Sequence, residues 1–178
     1  HIIHSNSKSV LSALIGIAID KEEISSVSKP VLDILGNRPV GNDGNGKRSI
    51  TIEHLLTMTS GLDCRDGVSD AWVGLKKMLS SPDWLQYVLD LPMASRPGKS
   101  FEYCNAASFL LSAVLYKETG KNPMVYANEY LFGPLGITDV VWSSAPSGIA
   151  MGYDGISLSP LDMAKIGFLY LNKGKWGG

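Results

Sequence analysis

The feature that most constrains the fold is an unusually apolar stretch near the start of the chain. Residues 10–19 are interrupted only by Ser12 and Gly16, so apolar side chains occupy nearly every side of a helix drawn through them. A helix that is apolar almost all round is a buried one, and other elements must cover it. The stretch is also too short to span a membrane, which takes about twenty residues. The sequence therefore predicts a buried helix inside a protein core.

Ser5 and Lys8 stand three residues apart where this helix begins. Residues at that spacing project to the same side of a helix, about 5–6 Å apart at Cβ. A serine hydroxyl needs an adjacent base to become a nucleophile, and a lysine among apolar side chains can be that base because desolvation disfavours its charged form. The N–H groups at a helix start also offer a donor to a developing oxyanion. The same spacing fits a solvated helix start, with Ser5 as the cap and Lys8 exposed.

A second candidate cluster, Tyr103-Cys104-Asn105, follows the turn signal Pro97-Gly98. Helical periodicity begins after Tyr103 and ends at Gly120, which places the tyrosine at a junction between a loop and a helix. A tyrosine beside a lysine cation can serve as a general base or proton shuttle, and the Asn105 amide can hold the lysine and a substrate. The alternative is a half-buried aromatic residue next to an asparagine cap.

These residues and the segments between them resemble the serine β-lactamase and penicillin-binding-protein superfamily. The resemblance is strongest to its class C-like branch of esterases, D-amino-acid peptidases and 6-aminohexanoate-dimer hydrolases, and it runs essentially from end to end. The matching segments are Ser5-x-x-Lys8, residues 52–62, residues 97–105, residues 134–137 and residues 155–167.

The resemblance implies catalytic roles for Ser5, Lys8 and Tyr103, a substrate-binding role for Asn105, and no metal or other cofactor. It also implies a Lys-Thr-Gly or His-x-Gly triplet on a later strand, and no such triplet stands in a suitable place. We therefore expect residues 1–178 to form a single, partial catalytic domain. Its fold class is mainly α, the helical region of an α+β (α/β-sandwich) β-lactamase-like fold with most of the antiparallel sheet absent. A missing segment or a partner chain is expected to cover the Ser5 helix.

Local signals predict mostly helices and few strands. Strand signals are confined to residues 139–143, 48–50 and short pieces near Gly152. Helices are predicted from Thr51 to Gly61 and from Ser159-Pro160 to about residue 172. Another is predicted at Ser81-Pro82-Asp83, with Ser81 as the cap, Pro82 in the first helical position and Asp83 in the first turn. The apolar stretches 71–79 and 84–91 suggest a further helical pair. Residues 37–47 and 145–155 are predicted to be glycine-rich loops.

Composition excludes several functions. A net charge of −1 with scattered Lys and Arg residues argues against a nucleic-acid partner.

Cys64 and Cys104 are too few for a disulfide framework and have no metal-ligand spacing, and a nucleophilic role for Cys104 is less favoured than one for Ser5. The three histidines form no metal pattern, and His54 is expected to be structural. Cellular location is not determined by the sequence; relatives suggest a periplasmic or secreted bacterial protein by analogy only.

The predicted function is hydrolysis of an ester or amide bond through an acyl-enzyme on Ser5. The substrate is expected to be a small ester, amide, D-amino-acid peptide or β-lactam, with an ester or short amide favoured. The alternative is a non-catalytic penicillin-recognition or sensor module, or an inactive fragment that lacks the third motif. Because one oxyanion donor is worth about 10²–10³ in rate, the isolated 178 residues are expected to turn over slowly.

Overall fold

The computed structural model describes residues 1–36, 38–44, 46–64 and 73–177. Within these ranges the chain forms eight α-helices and one short two-stranded sheet. Two 3₁₀ turns, at His4–Asn6 and Lys47–Ser49, and a π-helical turn at Asn128–Phe132 complete the regular structure. The helices are α1 Ser7–Asp20, α2 Val31–Leu35, α3 Ile52–Leu56, α4 Val73–Ser80, α5 Trp84–Asp90, α6 Asn105–Thr119, α7 Pro123–Ala127 and α8 Pro160–Leu171; the strands are β1 Val141–Trp142 and β2 Ile156–Ser157.

Helix α6 is the centre of the described core. Every residue from Asn105 to Leu115 is buried, and α1, α2, α3 and α5 all pack against this helix. Phe109 meets Trp84 of α5 edge to face, with 5.5 Å between the ring centroids. The helix ends where Gly120 takes the left-handed conformation (φ +69°), as the sequence predicts. Because α6 is fixed on several sides, the residues at its N-terminus are held firmly in place.

Helix α1 is the apolar helix that the sequence predicts, but it is buried on one face only. Val10, Leu11, Leu14, Ile15 and Ala18 are buried in the core that α6 shares. The opposite side carries exposed and half-buried residues and opens onto a groove of about 750 Å³. Within the described residues, the sheet is too small to cover that side, which is why the expected all-round burial is not found.

The sheet lies beside the start of α1. Its two strands pair antiparallel, with Val141 opposite Ser157 and Trp142 opposite Ile156. The chain start runs along β2, where the Ile3 N–H donates to the Ile156 carbonyl oxygen at 2.8 Å. These bonds fix the segment that carries Ser5.

The predicted strand at 139–143 is shorter than expected, since β1 has only the two residues Val141 and Trp142.

Several local predictions are confirmed and others are wrong. α3 follows Thr51 as predicted but ends at Leu56, short of Gly61; α8 follows its Ser159 cap. The predicted extended segment at 48–50 is largely wrong, because Lys47–Ser49 form a 3₁₀ turn. Of the 71–79 helix, residues 71 and 72 lie outside the described residues and the rest forms α4.

The two cysteines form a disulfide, which the sequence reasoning did not predict. Cys64 and Cys104 are bonded across 40 residues, with their Cα atoms 5.6 Å apart. Both are almost fully buried. Two cysteines with no shared motif do not reveal that they meet in space, so only the fold could show this pairing. Separately, in the described part of the chain no helix combines the length and the hydropathy needed to cross a membrane.

Candidate active site

Ser5 lies on the 3₁₀ turn His4–Asn6, which leads directly into α1. The expected position in the first α-helical turn is therefore shifted to the turn before it. The Asn6 backbone N–H and side-chain amide both donate to the Ile3 carbonyl oxygen at 3.1 Å, which closes the turn. Ser5 is exposed, so its hydroxyl is open to a reactant.

Lys8, in the first turn of α1, directs its amine toward three acceptors. Its Nζ lies 3.1 Å from Ser5 Oγ, 2.7 Å from Asn105 Oδ1 and 2.9 Å from the Tyr153 carbonyl oxygen. A lysine ammonium has three N–H donors, so these three acceptors match its capacity. Lys8 is half-buried. The alternative of an exposed lysine beside a serine cap does not fit this geometry.

Tyr103 reaches the same serine from the other side. Its hydroxyl donates to Ser5 Oγ at 2.6 Å, and Lys8 Nζ lies 4.8 Å from the centre of its ring. Ser5 and Tyr103 are thus in direct contact although they lie 98 positions apart in the sequence. Tyr103 is 40% exposed, so it lies at a surface that a substrate can reach.

The position of Tyr103 is set by the residues on either side of it. On one side, the Glu102 N–H donates to the Met58 carbonyl oxygen at 2.8 Å. On the other, Cys104 is tied to Cys64, and its sulfur accepts a hydrogen bond from the Ala107 N–H at 3.1 Å, which caps α6. The cap of α6 is thus Cys104 and not Asn105, so the alternative role for that asparagine does not apply.

Asn105 is the first residue of α6 and is buried. Its side-chain oxygen accepts from Lys8, which links the start of α6 to the start of α1. The structure therefore brings all four predicted residues together at one place: Ser5, Lys8, Tyr103 and Asn105.

Tyr153 is a site residue that the sequence reasoning missed. It contributes its backbone carbonyl oxygen to Lys8, and its own ring centre lies 5.9 Å from Lys8 Nζ. The signal available in the sequence was the glycine before it. A Cβ on Gly152 would lie 2.7 Å from the Ser108 carbonyl oxygen of α6, and the backbone there has φ +72°. A glycine is therefore needed for the segment to come close to α6.

Other predicted assignments concern histidine and cysteine. His54 forms a capping box with Thr51, in which the His54 N–H donates to the threonine hydroxyl at 3.3 Å, so its structural role is supported. The disulfide leaves no free thiol on Cys104, which removes it as a candidate nucleophile. Among the described residues, no group of three or more metal-ligand side chains lies together.

The Beta-lactamase family profile matches residues 1–175, and the chain belongs to this family. It is therefore a member of the β-lactamase-related superfamily of serine hydrolases, and its mainly helical structure fits the helical region of that fold. No curated protein matches the chain in sequence.

Solved structures share the fold at low sequence identity. A candidate 6-aminohexanoate-dimer hydrolase from Bacillus anthracis matches with a TM-score of 0.80 and 20% identity, over 100% of this chain and 49% of its own. An octameric penicillin-binding protein homologue from Pyrococcus abyssi matches with a TM-score of 0.75 and 22% identity, over 98% of this chain and 45% of its own.

A hydrolase with promiscuous acyltransferase activity has a TM-score of 0.76 and 21% identity, over 98% of this chain and 59% of its own. The chain thus spans about half the length of the structures it resembles. At these identities the likeness concerns the fold alone.

Proposed function

We propose that this chain carries the nucleophile of a hydrolase that cleaves ester or amide bonds through an acyl-enzyme on Ser5. One observation supports this most strongly: Ser5 Oγ lies within hydrogen-bond distance of both the Lys8 amine and the Tyr103 hydroxyl. A nucleophile within reach of a base, which is itself oriented by further groups, is the arrangement that covalent catalysis needs. Here Asn105 and the Tyr153 carbonyl orient the lysine.

The proposed reaction has two steps. Ser5 Oγ attacks the substrate carbonyl carbon, its proton passes to the Lys8–Tyr103 pair, and the same pair returns a proton to the departing alcohol or amine. Water then attacks the acyl-enzyme ester, again losing a proton to the pair, and the acid product leaves as Ser5 recovers its proton. The Ser5 backbone N–H is proposed as one oxyanion donor, and Asn105 as a contact for the substrate.

The proposed substrates are small esters or short amides, with D-amino-acid peptides and β-lactams as further members of the class. Support comes from two of the structural relatives, a candidate 6-aminohexanoate-dimer hydrolase and a hydrolase with promiscuous acyltransferase activity. The net charge of −1 gives no reason to propose a nucleic-acid substrate.

We also infer that the protein matures in an oxidising compartment. A buried disulfide of this kind forms and persists in the periplasm or outside the cell, and is rare in the cytosol. This agrees with the analogy to exported bacterial relatives. Alkylation of the denatured, unreduced protein tests it, since no thiol should react if Cys64 and Cys104 are bonded in the cell.

Rapid mixing with an activated aryl ester tests the proposed function. We expect a burst of released phenol close to one equivalent per protein, followed by slower turnover, because acylation precedes hydrolysis. A recognition or sensor module would give the burst with no turnover after it. Absence of any burst, in a protein that is shown to be folded, would contradict a reactive Ser5.

A further inference from the structure

We propose that His4 and Asp154 form a positioning pair that holds the turn carrying Ser5. This inference rests on the proposed function, because it assigns the pair an effect on the rate at which Ser5 is acylated. His4 directly precedes Ser5, and its Nδ1 lies 3.6 Å from Asp154 Oδ2. Neither residue belongs to the Ser5, Lys8, Tyr103 and Asn105 cluster.

The backbone at His4 needs such support. Its φ is +47°, in the left-handed region that side chains other than glycine rarely adopt. Residues in this region persist only where the surrounding structure holds them there, and they are concentrated at functional sites. Ser5 follows immediately, so the direction of its hydroxyl depends on this unusual conformation.

Asp154 is well placed to be the fixed member of the pair. Its other carboxylate oxygen accepts from the Gly155 N–H at 2.6 Å, and its carbonyl oxygen accepts from the indole N–H of the buried Trp142 at 3.2 Å. Gly155 in turn accepts from the Ser143 N–H at 3.0 Å, next to the β1–β2 pairing. The aspartate is therefore anchored to the sheet, whereas the His4 side chain is 76% exposed and anchored to little else.

One short segment thereby contacts both ends of the nucleophile turn. The Tyr153 carbonyl accepts from Lys8, after the turn, and the Asp154 carboxylate faces His4, before it. Ser5 lies between these two contacts. We infer that residues 153–155 set the distance between the serine hydroxyl and the lysine amine, with Asp154 acting through His4.

The effect should be modest, because a contact between side chains that are 76% and 36% exposed contributes little. We expect Asp154→Asn and His4→Ala each to lower the acylation rate constant about three- to tenfold, with the substrate dissociation constant unchanged. His4→Gly should recover most of the loss despite lacking the imidazole, because glycine adopts positive φ freely. For the same reason, Asp154→Asn should have no further effect in a His4→Gly background.

The test combines two readouts on the whole protein. The first is the rate constant at which a fluorophosphonate phosphonylates Ser5 with loss of fluoride, taken as the measure of its reactivity in acylation; it is measured for the wild type, Ser5→Ala, His4→Ala, His4→Gly, Asp154→Asn and the His4→Gly/Asp154→Asn double variant. The second is hydrogen exchange of the Asn6 amide, whose bond to the Ile3 carbonyl closes the turn. Exchange should quicken about three- to tenfold in Asp154→Asn, and not in the double variant relative to His4→Gly.

These readouts separate the inference from the proposed function. If the wild type is not labelled, the proposed function fails, and the exchange of the Asn6 amide alone decides whether the pair holds the turn. If the wild type is labelled but Asp154→Asn changes neither rate, the inference is overturned. A His4→Gly variant as slow as His4→Ala would also overturn it. The pair would then not act by holding the positive φ at position 4.

Discussion

Two groups that can carry a proton converge on a single oxygen atom at the residue scale. Tyr103 contacts Ser5 Oγ at 2.6 Å and Lys8 contacts it at 3.1 Å. Lys8 is additionally held by Asn105 and by the Tyr153 carbonyl oxygen. The phenol is thus the closer partner of the serine, and the amine is the more firmly oriented one. This division suggests that both are needed in proton transfer.

Tyr103→Phe should lower the acylation rate about 10²–10⁴-fold, the range for losing a group that transfers a proton. Stability should change little, because the ring remains and the hydroxyl lies at a partly exposed site. Tyr116→Phe is the matched control, since Tyr116 lies on α6 and is exposed to a similar extent. Rates of covalent labelling by an activated ester measure the effect. Equal rates for the two variants would remove Tyr103 from the proposed mechanism.

Lys47, unlike Lys8, is expected to contribute to the stability of the protein and not to the chemistry of the candidate site. It is 2% exposed, and its amine donates to the carbonyl oxygens of Gly41, Leu89 and Leu91 at 2.6, 2.8 and 2.5 Å. Burial lowers the pKa of Lys47, against the opposing effect of two nearby aspartates. The carbonyl cage explains why a charged residue is tolerated inside the protein.

Lys47→Met should destabilise the protein by about 2–4 kcal/mol, because buried carbonyl groups would lose their donor. Lys76→Met, at an exposed position of α4, is the control and should change the free energy of unfolding by less than about 0.5 kcal/mol. Denaturant unfolding measures both. A loss no larger than the control's would show that the cage contributes nothing.

Motif spacing predicted only that Ser5 and Lys8 would be close, because residues three apart project to the same side of a helix. The resemblance supplied Tyr103 and Asn105 as the residues that meet them. Tyr153 was missed because it acts through its backbone carbonyl, which every residue possesses. The His4 conformation was missed for a similar reason, since no side-chain pattern records a positive φ.

The start of α5 shows how a cap is chosen at the element scale. The sequence suggested Ser81 as the cap with Pro82 in the first helical position, and this was wrong. Asp83 is the cap: its carboxylate accepts from the Gln86 N–H at 3.0 Å. Ser81 instead accepts from the Asp83 N–H at 3.3 Å and so stabilises the turn before the helix. Ser81 and Asp83 are both good capping residues, and Asp83 is the cap because the helix begins directly after its extended backbone.

Asp83→Ala should cost about 1 kcal/mol of stability through loss of the cap, and Asp83→Asn should cost less because asparagine also caps helices. Burial acts to raise the pKa of Asp83, but hydrogen bonds from Arg38 and Gln86 outweigh it and hold the pKa below its usual value of 3.8. The charge-dependent part of its contribution is therefore present above pH 3.8 and is lost as the pH falls through the lower folded-state pKa.

Urea unfolding of wild type, Asp83→Ala and Asp83→Asn over a range of acidic pH tests this expected loss of stability on acidification. The advantage of the wild type over Asp83→Asn should shrink as the pH falls. An advantage that grows on acidification would contradict the assignment. Because Asp83 is partly exposed and pairs with the exposed Arg38, the pH-dependent part should be small.

The disulfide acts on the scale of the whole molecule. It joins the segment that contains Cys64 to the cap of α6, next to Tyr103. Breaking it with Cys64→Ser should lower the free energy of unfolding by about 2–4 kcal/mol, as expected for a cross-link that closes a loop of 40 residues. Calorimetry or denaturant unfolding measures the loss.

Cys104→Ser is the matched variant, because serine can still cap α6 while the cross-link is lost. The two single variants and the double variant should be almost equally stable, since all three lack the same bond. A reducing agent that is present during unfolding and refolding should lower the free energy of unfolding of the wild type and leave that of the variants unchanged. Variants as stable as the wild type would show that the bond adds nothing to the fold.

The architecture could be predicted from the sequence only in part. The mainly helical character and the family are confirmed, since apolar periodicity and end-to-end resemblance both extend over many residues. The pairing of Cys64 with Cys104 and the shortness of β1 and β2 could not be predicted, because both depend on contacts distant in sequence. The open side of α1 likewise depends on what packs beside it.

The most direct measurement is to map where an electrophile attaches. We expect a fluorophosphonate to add one adduct per protein, peptide mass spectrometry to locate it on Ser5, and Ser5→Ala to abolish it. Lys8→Met should remove nearly all labelling while the protein stays folded. An adduct on another residue, or unchanged labelling of Ser5→Ala, would contradict the assignment of Ser5 as the nucleophile.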